Sequence, residues 1–422
     1  MIKRSKESDS KRVVITGLGV VSSLGIGWKD FWKSLLAGKS GISKIESFDT
    51  SSYDRHYGGE VKNFDPSKFI SKRKIPRMGR ASQMAVAASK LAIKDAGLDL
   101  KSLPKENMGV CLGTTMGEPQ ILENLYIKSL KKSDSLKINN ISALTYPSNS
   151  ISLNLAHELK LQGHNIVFGN ACSASNYAAG YSFDLIKSGS LDFMLAGGVD
   201  ALSQIAFTGF QRLLAMAPRK CQPFDKNRKG MILGEGAGIL VLESLESAKR
   251  RNASIYAEVL GYGLSCDAYS MTASAYEQIL KAAQKAFKDA GIGPGDVDYI
   301  SAHGTGTPEN DKAEVRAIKT IFKERSNTIP VNSIKSMLGH TMGAAAALEA
   351  VSCCLSIKNG KIPPTINFKT KDSECDIDCV PNRTRRCQVK IALNNSQAFG
   401  GNNAVVVFRD TGILEKKFDE KE

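Results

Sequence analysis

The sequence predicts an α/β protein made of two similar halves packed in five layers, α/β/α/β/α. The first sign is internal repetition. Residues 89–97 read SKLAIKDAG and residues 283–291 read AQKAFKDAG, each an amphipathic helical run stopped by a glycine. Each run leads through a linker into a short apolar strand and a Gly-Thr turn, VCLGTT at 110–115 and YISAHGTGT at 299–307. Farther on, IVFGNACSASNYAAG (166–180) parallels IPVNSIKSMLGHTMGAAAA (329–347), and FMLAGGVDAL (193–202) parallels IALNNSQAFGGNNAVVVF (391–408). A repeat this long is not a solenoid unit and implies two packed α/β units. The second sign is that the strand-like runs at 13–16, 166–168, 193–196 and 404–408 are continuously apolar, as in sheets covered on both faces. The third is small-residue helical stretches, such as 343–350, able to lie close together between two sheets. The join between halves falls near 250–260, giving units at 13–255 and 256–410 with short charged tails at 1–12 and 411–422.

Composition narrows the function. The chain has 422 residues, 42% hydrophobic and 23% charged, ordinary for a soluble globular protein. No uninterrupted apolar run reaches the ~18 residues of a membrane span, and the most apolar stretch, 343–357, carries Glu349 in its middle. The N-terminus is charged and lacks the apolar core of a secretory signal, so the expected location is the cytoplasm. Nine cysteines, an odd number, then read as free thiols of a reducing compartment. Cys375, Cys379 and Cys387 form no CxxC pair and have no histidine nearby, so no metal site is expected.

Net charge is +15, but the basic residues are scattered, which argues against a nucleic-acid footprint. One cluster stands out. Between 66 and 80 the chain holds Lys68, Lys72, Arg73, Lys74, Arg77 and Arg80 with no acid. It is either a solvated surface or a dock for an acidic partner.

Candidate chemistry centres on Cys172. It follows an apolar strand and opens the helix-like run ACSASNYAAG. A thiol there meets the positive end of a helix dipole, which favours thiolate, and free backbone N–H groups able to hold an oxyanion. Of five histidines, His303 sits in the Gly-Thr turn SAHGTGTP and His340 in the strand-to-helix turn that mirrors the Cys172 turn. Duplication therefore brings these turns to matching ends of two sheets. GLGVVSSLG at 17–25 has Ser22 where a dinucleotide fingerprint needs glycine. It reads, like GMILGEGAG at 230–238, as close backbone packing.

The set GNACSAS, PFDKNRKGMILGEGAG, SAHGTGTPENDKAE, NSIKSMLGHTMGAA and AFGGNNA resembles the elongating type II β-ketoacyl-acyl carrier protein synthases, from 13 to 408. The resemblance implies a thiolase-like fold, an acyltransferase activity, a dimer and an acyl carrier protein partner, with no cofactor beyond the pantetheine arm that the carrier brings. It implies decarboxylative condensation of a Cys172-bound acyl chain with a malonyl thioester. Cys172 is then the nucleophile, with its own N–H and that of Phe399 as oxyanion hole. His303 and His340 bind the malonyl carbonyl, and Lys335 and Glu314 order that pair. Thr305 and Thr307 hold the pantetheine, Phe399 gates the acyl pocket, and Met116 and Phe210 set its depth. If the basic cluster is a dock and not a solvated surface, Lys68, Lys72, Arg73, Lys74 and Arg77 are the residues that meet such a carrier.

Rival classes are weaker. A thiolase needs a second catalytic cysteine near AFGGNN, an initiating synthase pairs one histidine with asparagine, and an inactive scaffold or chain-length factor lacks the nucleophile. One departure matters. Gln397 and Ala398 replace the aromatic and glycine usual beside the gate. This keeps open a specialised polyketide or polyene pathway, in which a chain-length-factor-like subunit replaces the second identical one.

Overall fold

The computed structural model describes residues 10–131, 140–272 and 274–412, so most of both charged tails lies outside the described residues. The first half runs β1 (Val13–Ser22), α1 (Arg80–Asp95), β2 (Met108–Gly113), α2 (Ser150–Leu159), β3 (Asn165–Phe168), α3 (Ala174–Lys187), β4 (Phe193–Asp200) and β5 (Gly236–Ser244). The second repeats the order as β6 (Ala257–Cys266), α4 (Tyr276–Ala290), β7 (Tyr299–Ser301), α5 (Pro308–Phe322), β8 (Val331–Asn332), α6 (Ala345–Asn359), β9 (Ile391–Gln397) and β10 (Asn402–Arg409).

Strand order matches the duplication: β3-β2-β4-β5-β1 in one half and β8-β7-β9-β10-β6 in the other. In each half the first three of these strands are parallel, and the remaining pairings are antiparallel. Local sequence did not anticipate how the halves meet. Val13, Val14 and Ile15 of β1 pair antiparallel with Val259, Glu258 and Ala257 of β6, fusing both sheets into one of eleven strands. The pairing satisfies edge groups that two separate sheets would leave open. Glu258 fastens this joint by accepting from Arg12 at 2.7 Å and Arg409 at 2.6 Å.

The five layers follow from side-chain size. α1 rests on β1 because Gly17 and Gly19 leave room; a Cβ on Gly19 would lie 1.9 Å from the Ala88 carbonyl oxygen. Gly261 and Gly263 do the same on β6, where a Cβ on Gly263 would lie 2.1 Å from the Ala282 oxygen of α4. α3 and α6 lie between the two half-sheets and touch strands of both. Accordingly α6 is buried on every side over 345–357, the pattern of a central helix. α1 and α2 cover one outer face, and α4, with α5 beside it, covers the other. Among the described residues, no helix is long and apolar enough to cross a membrane.

Candidate active site

Both halves make the same sharp turn before their central helix. Ala171 has φ +54° and is followed by Cys172 and α3; Met342 has φ +52° and is followed by Gly343 and α6. A non-glycine residue in this left-handed region costs on the order of 1–2 kcal/mol. Its recurrence shows that the turn belongs to the repeat. The positional counterpart of Cys172 is thus Gly343, with His340 in the approach to the same turn.

Turn and helix together put Cys172 on the wall of a cavity of about 330 Å³ shared with His303, His340, Phe210, Thr305, Thr307, Gln397, Ala398 and Phe399. The imidazoles of His303 and His340 stand edge to face, centroids 5.3 Å apart. One thiol from the first half therefore faces two histidines from the second.

Charges around the cavity do not act as the helix-dipole argument alone suggested. Burial pushes the Cys172 thiol up to about 12, and Asp200 adds to this. The Lys335 ammonium and hydrogen bonds from the N–H groups of Cys172 and Phe399 pull it back without overcoming burial. The resting thiol is therefore protonated. Desolvating the anion outweighs these pulls. The same two N–H groups converge on the Cys172 sulfur.

Both histidines are held well below the usual imidazole range, first by burial and then by the Lys335 charge. They stay neutral at physiological pH. The Met342 N–H donates to His340 Nδ1 at 3.1 Å, so the proton of the neutral ring sits on Nε2. His303 Nδ1 is buried with no hydrogen-bond partner among the described residues.

Lys335 and Glu314 reach the histidine pair by different routes. Glu314 accepts from the backbone N–H groups of His303 and Gly304, both at 2.8 Å, and so fixes the loop rather than the imidazole. Lys335 pairs with Glu349, and both side chains are 1% exposed. Glu349 is pushed up to about 7, chiefly by burial and against the pull of Lys335. Sequence reasoning missed its role, although an acid inside the apolar run 343–357 was the visible signal.

Two more connections were missed. Asp200, at the end of β4, accepts from Thr114 Oγ1 and from the N–H groups of Thr115, Met116 and Gly343, at 2.6–3.0 Å. It ties the Gly343 turn to the nucleophile's half. The 230–238 run holds His340, whose N–H donates to Ile232 O at 2.7 Å and whose carbonyl accepts from the Gly234 N–H at 2.9 Å.

The remaining candidates separate. Thr305 and Thr307 line the cavity with hydroxyls 2.8 Å apart. Phe399 lies against Phe210, centroids 5.8 Å apart, and its loop is tied down where the Met271 carbonyl accepts from the Gly400 N–H at 2.9 Å. Met116 does not line this cavity; it packs with Phe207 and Met342 in an adjoining apolar cluster. Lys68, Lys72, Arg73 and Arg77 are exposed. Lys74 instead donates to Glu158 at 2.7 Å, and Arg80 to Glu235 at 2.6–2.8 Å. These two are neutralised by acids distant in sequence, which the local composition could not reveal.

The family models for the N-terminal and C-terminal domains of beta-ketoacyl synthase match residues 10–248 and 256–369. The chain belongs to the beta-ketoacyl synthase family. It is 40% identical to the 3-oxoacyl-[acyl-carrier-protein] synthase 2 of Staphylococcus aureus, over 95% of this chain and 99% of the relative. Its fold matches the ishigamide ketosynthase/chain length factor with TM-score 0.92 and 44% identity, over 95% of this chain and 99% of the other. It also matches the AntDE ketosynthase, solved with its acyl-carrier protein AntF, with TM-score 0.88 and 34% identity, over 95% and 99%. In this chain the thiol and the paired histidines line one cavity, and the two N–H groups meet at the sulfur.

Proposed function

We propose that the chain is a β-ketoacyl-acyl carrier protein synthase, an acyltransferase that extends an acyl chain by decarboxylative condensation. The observation that carries this reading is one buried thiol facing two neutral imidazoles across a single cavity, with two backbone N–H groups aimed at the sulfur. Cys172 loses its proton as it attacks the acyl thioester, and the carrier thiol takes up a proton on leaving. A malonyl thioester then enters the emptied arm channel. Loss of carbon dioxide leaves the electron pair on the thioester enolate, whose oxygen accepts hydrogen bonds from His303 and His340. The enolate carbon attacks the acyl carbonyl, the bond from that carbon to the Cys172 sulfur breaks, the released thiolate takes up a proton, and a 3-oxoacyl carrier departs. Neutral imidazole donors suit an enolate, which needs hydrogen bonds rather than a strong base.

In this reading 13–255 supplies the nucleophile and 256–410 both histidines. No cofactor is needed, since the pantetheine arrives on the carrier and passes Thr305 and Thr307. Lys68, Lys72, Arg73 and Arg77 meet the acidic carrier, and the reaction runs in the cytoplasm. A second subunit, identical or chain-length-factor-like, covers the apolar side chains Tyr126, Leu130, Leu144 and Leu153, which are 59–75% exposed. A specialised polyketide or polyene pathway is favoured over ordinary fatty-acid elongation by one observation, the buried Gln397 beside the gate. The AntDE relative was solved bound to a hexaketide, which keeps that chemistry within the family's reach. The test is intact-mass detection of an acyl group on Cys172 after incubation with acyl-loaded carrier protein, followed by its disappearance and formation of a 3-oxoacyl carrier when malonyl-loaded carrier is added. Absence of both adduct and product would refute the reading.

A further inference from the structure

Gln397 closes β9 and lines the cavity that holds Cys172. It is 2% exposed, yet neither Oε1 nor Nε2 has a hydrogen-bond partner among the described residues. Asn394 and Asn395 on the same strand also leave Oδ1 unpaired, but among the described residues Gln397 alone has both amide atoms buried without a partner, and its other neighbours are satisfied. Ser396 Oγ accepts from Asn176 and donates to the Ala404 carbonyl, and Asn403 Nδ2 donates to Asp267 and to the Gly401 carbonyl. Buried amides are ordinarily satisfied, because leaving one unpaired is costly. An apolar side chain of the same size would fill the site without that cost, and a saturated alkyl chain would give the amide nothing in return. Gln397 lies two residues before Phe399, whose N–H contacts the Cys172 sulfur, and both line the cavity that holds that thiol.

Building on the ketosynthase reading, we propose that Gln397 is a specificity residue that hydrogen-bonds a carbonyl or hydroxyl oxygen near the thioester end of the acyl chain. The accepted substrates are thus oxygen-bearing acyl groups, selected over saturated ones. Nε2 donates to either kind of oxygen, and Oε1 accepts from a hydroxyl. A site built around such a bond rejects the analogue that lacks the oxygen, because the amide then remains unpaired.

The test compares octanoyl and 3-hydroxyoctanoyl N-acetylcysteamine thioesters with the full-length protein and with Gln397→Met, which preserves volume but cannot hydrogen-bond. Cys172 acylation is followed by intact mass and condensation by kcat/KM, with Gln397→Leu as a second variant should the first fold poorly. The expected result is a wild-type preference for the hydroxylated chain that falls about tenfold or more in Gln397→Met, through loss on the hydroxylated substrate alone. The melting temperature of the variant should hold or rise. An unchanged ratio, equal losses on both substrates, or a wild-type preference for the saturated chain overturns the assignment while leaving the ketosynthase reading intact. Failure of both thioesters and of acyl-loaded carrier protein to acylate wild-type Cys172 overturns both.

Discussion

Lys335 and Glu349 form an ion pair with both side chains 1% exposed, and the Lys335 charge reaches Cys172, His303 and His340 alike. It pulls the thiol toward ionisation and adds to the burial that keeps both imidazoles neutral. One buried cation therefore biases three titrating groups in the direction the proposed chemistry needs, while burial remains the larger influence on each.

Removing that cation should damage stability and chemistry separately. Lys335→Met leaves Glu349 buried without its partner, at a cost of about 3–5 kcal/mol. The double variant Lys335→Met with Glu349→Gln should recover most of this in a denaturant titration. Its Cys172 alkylation rate at pH 8 should nevertheless stay below wild type, because the thiol has lost the charge that favours thiolate. Full recovery of both properties would mean that the pair is only structural.

The two half-reactions should respond differently to pH. Burial raises the Cys172 thiol to about 12, so iodoacetamide labelling should keep climbing through pH 9 and above. The histidines lie well below their ordinary range, so malonyl decarboxylation should stay flat from pH 8 down to about 6, where an ordinary histidine would already be charging. A decarboxylation rate that halves near pH 6.5 would show that at least one ring titrates normally.

Acyl capture and condensation should also separate genetically. Cys172→Ala should lose all acyl labelling while keeping its fold. His303→Ala and His340→Ala should each lose condensation by about 10²–10⁴-fold. They should acylate Cys172 with a smaller defect, because the N–H groups of Cys172 and Phe399 still serve the thiol. Rapid-quench measurement of each half-reaction gives the comparison, and equal defects in both steps would contradict the division.

Carrier recognition should reside in the free cations only. Reversing Lys72, Arg73 and Arg77 to Glu should raise KM for acyl carrier protein while sparing a small acyl thioester. The wild-type carrier reaction should weaken with salt, since exposed charges are screened beyond about 10 Å at 0.1 M. Lys74→Glu should instead lower the melting temperature by placing a second acid against Glu158. Salt-independent carrier kinetics would return the cluster to an ordinary solvated surface.

Local sequence carried the duplicated order of strands and helices, because apolar periodicity and Gly-Thr turns recur in both halves within short windows. It also carried Cys172, His303 and His340, since each occupies a strand-end turn that is recognisable from its neighbours alone. Tertiary structure decided what joins and tunes these parts. The β1–β6 seam, the Asp200 link to Gly343, the Glu349 partner of Lys335 and the Glu158 partner of Lys74 bring together residues 14 to 246 positions apart. Such pairings leave no periodic trace in a short window. Burial is likewise a property of the assembled layers, and it reverses the thiolate expectation for Cys172 while exposing the unmet amide of Gln397. A helix N-terminus can be read from a dozen residues, but the water it loses on packing depends on the whole fold.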